Sequence, residues 1–264
     1  MNTDKIINRS LYPLQDAMAR AAIIAQSRAE LRREGVCILR EFVLPEALSD
    51  MSSEAQGRFA EAHRRDIKMG INPKDGLELV ESIIGRKSPY RMRSLGSDWL
   101  SPVGALQRLY RSEEVLDLLS HIVEVPQLHC TADPLINATV TYMGEGDQQG
   151  WHFDDNDFVV SLLLQRPQEG GDFEYVPDAN QLAPDEVVDI LDERSPRTRR
   201  LAAEAGALVL FRGRHALHRV APVLGHKLRI IALLSYDTQP GFVFSDEVRL
   251  KALGRIDTTG ATQR

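Results

Sequence analysis

The sequence predicts a mainly β protein, an antiparallel sandwich or jelly roll braced by helices from its N-terminal part. Three observations carry this. Up to about residue 125 the chain holds long segments rich in helix-forming residues. From residue 126 onward, eight short β-type runs follow one another. Turn residues separate them, among them Gly144, Gly146, Gly170, Gly171, Gly213 and Gly225. Helices first and strands afterwards is the order of a braced all-β core, not of alternating βα units.

The elements follow in order. Residues 13–34 are rich in Ala, Leu, Gln, Arg and Glu and end at Gly35, a helix stop signal. "VCILREFV" at 36–43 reads as a strand, and Pro45 opens a helix running toward Arg65. Residues 68–98 carry Gly70, Pro73, Gly76, Gly85, Pro89 and Gly96, which predicts a long irregular segment with a helical turn or two. Such segments often form lids or binding loops. Residues 103–125 read as helix again, with Leu106, Leu109, Tyr110, Val115, Leu118, Leu119 and Ile122 at helical spacing. The β-type runs are 127–131, 136–143, 149–153, 158–164, 172–176, 208–211, 216–220 and 228–236. A charged interruption at 183–200 carries a surface helix at 185–191. Neither repeats nor linkers stand out, so a single domain over residues 1–264 is expected.

Composition narrows the function classes. Hydrophobic content of 43% and charged content of 27% suit a globular core. A net charge of -6 speaks against nucleic-acid or anionic-membrane partners, which select basic faces. Two cysteines, Cys37 and Cys130, make neither a disulfide framework nor a zinc ribbon. The start lacks a signal-peptide core and every apolar run is too short to span a bilayer, so a cytoplasmic location is expected.

The chemistry begins at "GWHFDDNDFVVSLLL", which opens at Gly150. Residues two apart on a strand share a face, so His152 and Asp154 project together and Phe153 projects away. Buried carboxylates need a positive partner, and a cation is one. An imidazole and a carboxylate are two parts of the two-histidine, one-carboxylate set that leaves open positions on Fe(II). An HxD alone arises often by chance. The third ligand would have to be a distant histidine, and "RHALHRVAPVLGHKLRIIALLSYD" offers His215, His218 and His226. In the same stretch Arg229 sits on an otherwise apolar strand, where a guanidinium needs an anion. Its alternative is an edge arginine paired with Asp237 or Asp246.

Taken together, HxD, the "GGDFEYVP" segment at 170–177, and H-x-V-x-P-V-x-G-x-x-x-R resemble the core of the Fe(II)/2-oxoglutarate-dependent oxygenases. "LRREGVCILREFVLPEAL" is similar to the opening of many members, so the likeness runs from about residue 30 to 240. The resemblance implies a double-stranded β-helix (jelly roll) core. It places His152, Asp154 and His218 on the metal positions and Arg229 on the distal carboxylate of 2-oxoglutarate. His218 is preferred over its neighbours because it alone has the Val-x-Pro-Val-x-Gly continuation, eleven residues before the arginine. Many members place Ser or Thr two residues beyond that arginine. Ile231 stands here instead, leaving Thr139, Thr141, Tyr142 and Ser161 as candidates for the second contact.

The resemblance also implies the cofactor set, Fe(II), 2-oxoglutarate and O2. It lies near the branch of free-amino-acid hydroxylases and halogenases. Those halogenases carry a small residue where Asp154 stands, so hydroxylation is expected. For the substrate, an acid after HxD holds an amine in that branch, making Asp155 a candidate; an exposed turn acid is the alternative. Arg91 and Arg93 are candidates for a substrate carboxylate or are solvated loop residues, and Trp151 is a candidate wall or a core aromatic. The expected substrate is a small amino-acid-like molecule. An oxygenase acting on a peptide, a protein side chain or a carrier-bound metabolite stays open, as does a non-catalytic ligand-binding jelly roll. The N-terminal helices offer a surface for a homodimer.

Overall fold

The computed structural model describes residues 3–71 and 80–258. Eleven strands form its main sheet. In chain order they are β1 (Val36–Leu39), β2 (His63–Gly70), β3 (Lys87–Leu95), β4 (Ala138–Met143), β5 (Gln148–His152) and β6 (Val159–Gln165). The others are β7 (Phe173–Val176), β8 (Arg199–Arg200), β9 (Leu208–Phe211), β10 (Leu217–Val220) and β11 (Arg229–Leu234). They are hydrogen-bonded in the order β1-β9-β6-β11-β4-β3-β5-β10-β7-β8, with β2 along the far side of β3. Every pairing is antiparallel.

The sheet curls because β3 serves two neighbours. Its C-terminal half pairs with β4 (Ser94 opposite Thr141) and its middle pairs with β5 (Tyr90 opposite Gln149). The two halves of the sheet therefore face each other across an interior, as in a double-stranded β-helix. Gly150 permits the close approach of β5 to β3, since a Cβ there would stand 2.0 Å from the Cβ of Ser88.

Helices cover the outside. Ala17–Glu34 starts at Asp16, whose carboxylate accepts from the Ala19 N–H at 2.9 Å, and ends at Gly35 in the left-handed region at φ 73°. It buries Ile24, Ser27 and Leu31, a stripe on one face. The predicted helix at 103–125 is two, Ala105–Tyr110 and Glu113–Val123, because Ser112 caps a fresh start by accepting from the Val115 N–H. Both join the core cluster built on Val140, Tyr142, Leu162, Leu210 and Ile230. On the other half of the sheet, helix Pro184–Leu191 sets Val187 and Ile190 against Trp151, Val176 and Leu217.

The segment expected to be irregular differs most. The helix opened by Pro45 ends at Gly57, and the β2–β3 hairpin follows, with Pro73 and Gly76 outside the described residues. Its register pairs Arg64 with Arg93 and Asp66 with Arg91. One face is thus charged and the other is mixed, which hides the strand pattern. No helix among the described residues is long and apolar enough to cross a membrane.

Candidate active site

β5 ends at His152, and β10 sets His218 directly opposite it. Both imidazoles are oriented by backbone. Nδ1 of His152 lies 2.8 Å from the Gly150 carbonyl, and Nδ1 of His218 lies 3.0 Å from that of Ala216. A carbonyl only accepts, so each Nδ1 carries the proton and each Nε2 presents a lone pair. Both Nε2 atoms turn toward Asp154, with His152 3.7 Å from Oδ1 and His218 3.2 Å from Oδ2. One ligand atom from each of the three residues lies within 4.8 Å of the others, a set able to hold a metal ion.

Asp154 fits only because Gly213 faces it. The Asp154 N–H donates to the Gly213 carbonyl at 3.1 Å, and a Cβ on Gly213 would stand 2.2 Å from Oδ2 of Asp154. Gly213→Ala is expected to displace this carboxylate and weaken metal binding by roughly 10–100-fold, the cost of disturbing a ligand's surroundings. Titration of the variant with Mn(II) or Ni(II) checks this. Unchanged affinity would mean that Asp154 is not held by this contact.

Burial, followed by the nearby His218, lowers the pKa of His152 from 6.5 to about 4. The imidazole is therefore neutral, and ready to ligate, at neutral pH. Below the unfolded value of about 6.5 the unfolded chain takes up a proton that the folded one refuses until about pH 4. The metal-free protein should thus lose stability as pH falls through that window, by on the order of 3 kcal/mol. The urea midpoint against pH reads this directly. A profile just as steep in His152→Gln would assign the loss to other groups.

The ligands open on a cavity of about 1010 Å³ inside the curled sheet. Arg229 enters it from β11, only 7% exposed, with Nε donating to the Gly171 carbonyl at 3.0 Å. Gly170 and Gly171 make this turn in the left-handed region, φ 64° and 63°, and a Cβ on Gly171 would stand 3.2 Å from Cδ of Arg229. Among the described residues no carboxylate lies within 4 Å of the guanidinium, so its terminal nitrogens form an open fork on the cavity. Burial lowers its pKa to about 10, which still leaves it charged at neutral pH. The alternative pairing with Asp237 or Asp246 is not what the structure has.

Strand parity sorts the remaining candidates. Thr139, Thr141 and Ser161 line the cavity with Ile231 and Leu233, and Thr141 lies opposite Ile231, two residues along the strand from Arg229 and on the same face. Tyr142 does not join them. It points to the other face of β4, where its hydroxyl donates to the Ala55 carbonyl at 2.7 Å. β4 is buried on both faces, with Thr139 and Thr141 toward the cavity and Ala138, Val140 and Tyr142 toward the core. Trp151 likewise turns away from its neighbour His152, into the cluster beneath helix Pro184–Leu191, with Arg219 over its ring. Arg91 and Arg93 lie on the outer face of the hairpin, near Asp66 at 3.6 Å and over the Phe59 ring. Asp155 is exposed and sits on the cavity rim. Of the other late histidines, His215 is in a turn and His226 is solvated.

Three residues that sequence reasoning missed stand beside the ligands. The Gln149 amide donates to Nε2 of His152 at 3.1 Å and also to the Tyr90 hydroxyl. The Tyr90 ring packs edge-on to His152, and Arg65 lies over the same ring, 4.2 Å from its centroid. The alternation of Tyr90, Met92 and Ser94 with Arg91 and Arg93 is the sequence signal that marks this wall.

Comparison with known proteins agrees with this architecture. Residues 19–242 match the family model HalD, Halogenase D. No curated protein matches the chain. Among solved structures it is similar to AviO1 from Streptomyces viridochromogenes Tue57, at TM-score 0.57 and 19% identity over 84% of this chain and 97% of that one. It is also similar to HygX from Streptomyces hygroscopicus with nickel, 2-oxoglutarate and hygromycin B bound, at 0.55 and 13% over 90% and 98%. A 2OG-Fe(II) oxygenase family oxidoreductase from Burkholderia pseudomallei aligns at 0.51 and 15% over 83% and 92%. At these identities the likeness is one of fold. The family match spans most of the sequence, and the chain belongs to the Halogenase D family, within the superfamily of Fe(II)/2-oxoglutarate oxygenases.

Proposed function

We propose that the protein is an Fe(II)/2-oxoglutarate-dependent dioxygenase that hydroxylates a small polar metabolite, a free amino acid or a close relative. The observation that carries this is one cavity uniting His152, Asp154 and His218 with the open fork of Arg229. The donor set fits the metal, with two imidazole nitrogens and one carboxylate on one side and space on the other. Arg229 fits the cosubstrate, because a buried fork lacking an acid suits a dicarboxylate's far end. Thr141 is best placed of the hydroxyls for the second contact that Ile231 cannot make.

Bound iron and 2-oxoglutarate would supply the oxidation, coupling loss of CO2 from the cosubstrate to insertion of oxygen into a substrate C–H bond. The chain's part is positional. Gly150 and Ala216 carbonyls hold the imidazoles, Gly213 makes room for the carboxylate, and Phe173 and Phe211 pack against His218 and keep water from it. Asp154 decides between hydroxylation and halogenation. It fills the position that a halide needs, so hydroxylation follows although the family takes its name from a halogenase. Asp155 on the rim is the proposed contact for a substrate amine.

The test is succinate formation by the Fe(II) protein with 2-oxoglutarate and air, with and without a panel of free amino acids, followed by mass spectrometry of the stimulating one. A product heavier by one oxygen supports the proposal. The cavity lies at the top of the usual range of small-molecule sites, ~300–1,000 Å³, which favours a larger or carrier-bound molecule as second reading. Turnover that no free amino acid stimulates would select it.

A further inference from the structure

We infer that Arg65 anchors a carboxylate of the substrate, so that the molecule oxidised is an acid held by its own charge beside the metal ligands. The inference rests on the oxygenase reading and goes beyond it by naming the group recognised. Four arginines line the cavity: Arg65, Arg166, Arg200 and Arg229. Arg166 pairs with Glu204 at 2.6 Å, and Arg200 stands 3.4 Å from both Asp172 and Glu174. Arg229 serves the cosubstrate. Arg65 is left, and among the described residues no carboxylate lies within 4 Å of it.

Its geometry is that of a binding group. β2 pairs Arg65 with Met92, so it shares the cavity face with Met92 and Tyr90, while Arg64 and Asp66 face outward. The guanidinium lies over the Tyr90 ring, and Nη1 donates to the Lys251 carbonyl at 3.0 Å. Ring and carbonyl together fix its plane. The edge left over is formed by Nε and Nη2, the parallel pair of donors that a carboxylate takes side-on. Nε is buried with no hydrogen-bond partner, and apart from the Tyr90 side chain Nη2 meets the Met92 sulfur at 4.0 Å. A thioether is a poor acceptor on a flexible side chain, which an anion can displace. Buried donors without partners are rare, and a ligand is one explanation of them.

The position is right for the reaction. Arg65 and His152 both contact the Tyr90 ring, at 4.2 Å and 5.7 Å from its centroid, and line the same cavity, so an acid on Arg65 would lie one side chain from the metal site. The residues expected to do this, Arg91 and Arg93, are on the other face of the hairpin.

The experiment measures binding rather than turnover. Protein loaded with Ni(II) and 2-oxoglutarate is titrated with L-lysine, L-arginine, L-leucine and L-phenylalanine and with their four carboxamides, and Kd is taken from the thermal shift. At least one acid is expected to bind roughly 10–100-fold more tightly than its amide, the value of a charged hydrogen-bonded pair. Arg65→Gln should erase that preference, and Arg91→Gln should keep it. Acids and amides that bind alike, no binding by any acid, or a preference that survives Arg65→Gln would each overturn the inference. 2-Oxoglutarate alone is titrated in the same plate. If wild type fails to bind it, the oxygenase reading fails; if it binds with wild-type affinity in Arg65→Gln, the Arg65 result stands by itself.

Discussion

His218→Ala is expected to abolish 2-oxoglutarate turnover and to lower metal affinity by more than the roughly 10–100-fold that loss of an outer contact costs. The reason is geometric. Of the three residues only His218 comes from outside the 152–154 stretch, held on β10 opposite His152, and its Nε2 is the nearer of the two imidazole nitrogens to Asp154. Without it the site keeps His152 and Asp154, which come from one short stretch and leave the ion open to water. The substitution removes a ring from the cavity wall, where Phe173 and Phe211 pack against it, and leaves the pairing of β10 with β5 and β7 untouched. The fold should therefore persist, read by an unchanged far-ultraviolet dichroism spectrum beside a lost metal-binding isotherm. Wild-type metal affinity in a folded His218→Ala would remove His218 from the site.

Arg229→Met should have the second large effect, with opposite signs on two measurements. The KM for 2-oxoglutarate is expected to rise by about 100-fold, because one partner of a buried charged contact is gone. The ligand-free protein should become more stable. Arg229 is buried in a β-strand, its pKa pulled down by desolvation, and it meets no carboxylate among the described residues. An isolated buried charge costs stability, and an apolar side chain of similar length relieves that cost. A structural arginine would behave in the reverse way, destabilising the fold when removed and leaving KM alone. Paired KM and melting measurements separate the two roles.

Much of the fold was legible because strand and helix signals were local. The strand at Leu208–Phe211 has the bounds that its apolar run suggests, and the helix ending at Gly35 stops where the glycine allows a left-handed turn. The ligand set was legible for another reason. The two-residue spacing of His152 and Asp154 fixes a shared direction, and His218 with Arg229 stands in a pattern that resembles a known family. What stayed hidden depended on pairing. The β2–β3 hairpin looks irregular because Arg64, Asp66, Arg91 and Arg93 put charge on one face beside Pro89 and Gly70, and it is the hairpin that brings Arg65 and Tyr90 to the cavity. Tyr142 and Trp151 stand next to Thr141 and His152 and so face the other way along their strands, Trp151 taking the core position that was its alternative. Gln149 could not be foreseen. Its amide reaches His152 next to the irregularity in the β5–β10 pairing, between His218 and Val220.

One measurement bears on the whole reading most directly: succinate formed from 2-oxoglutarate by anaerobically reconstituted Fe(II) protein when air is admitted, with His218→Ala and Arg229→Met alongside. Succinate formation by wild type, lost in the first variant and restored only at high 2-oxoglutarate in the second, is the expected result. A wild-type protein that binds neither iron nor 2-oxoglutarate would contradict the assignment of His152, Asp154, His218 and Arg229 to an oxygenase site.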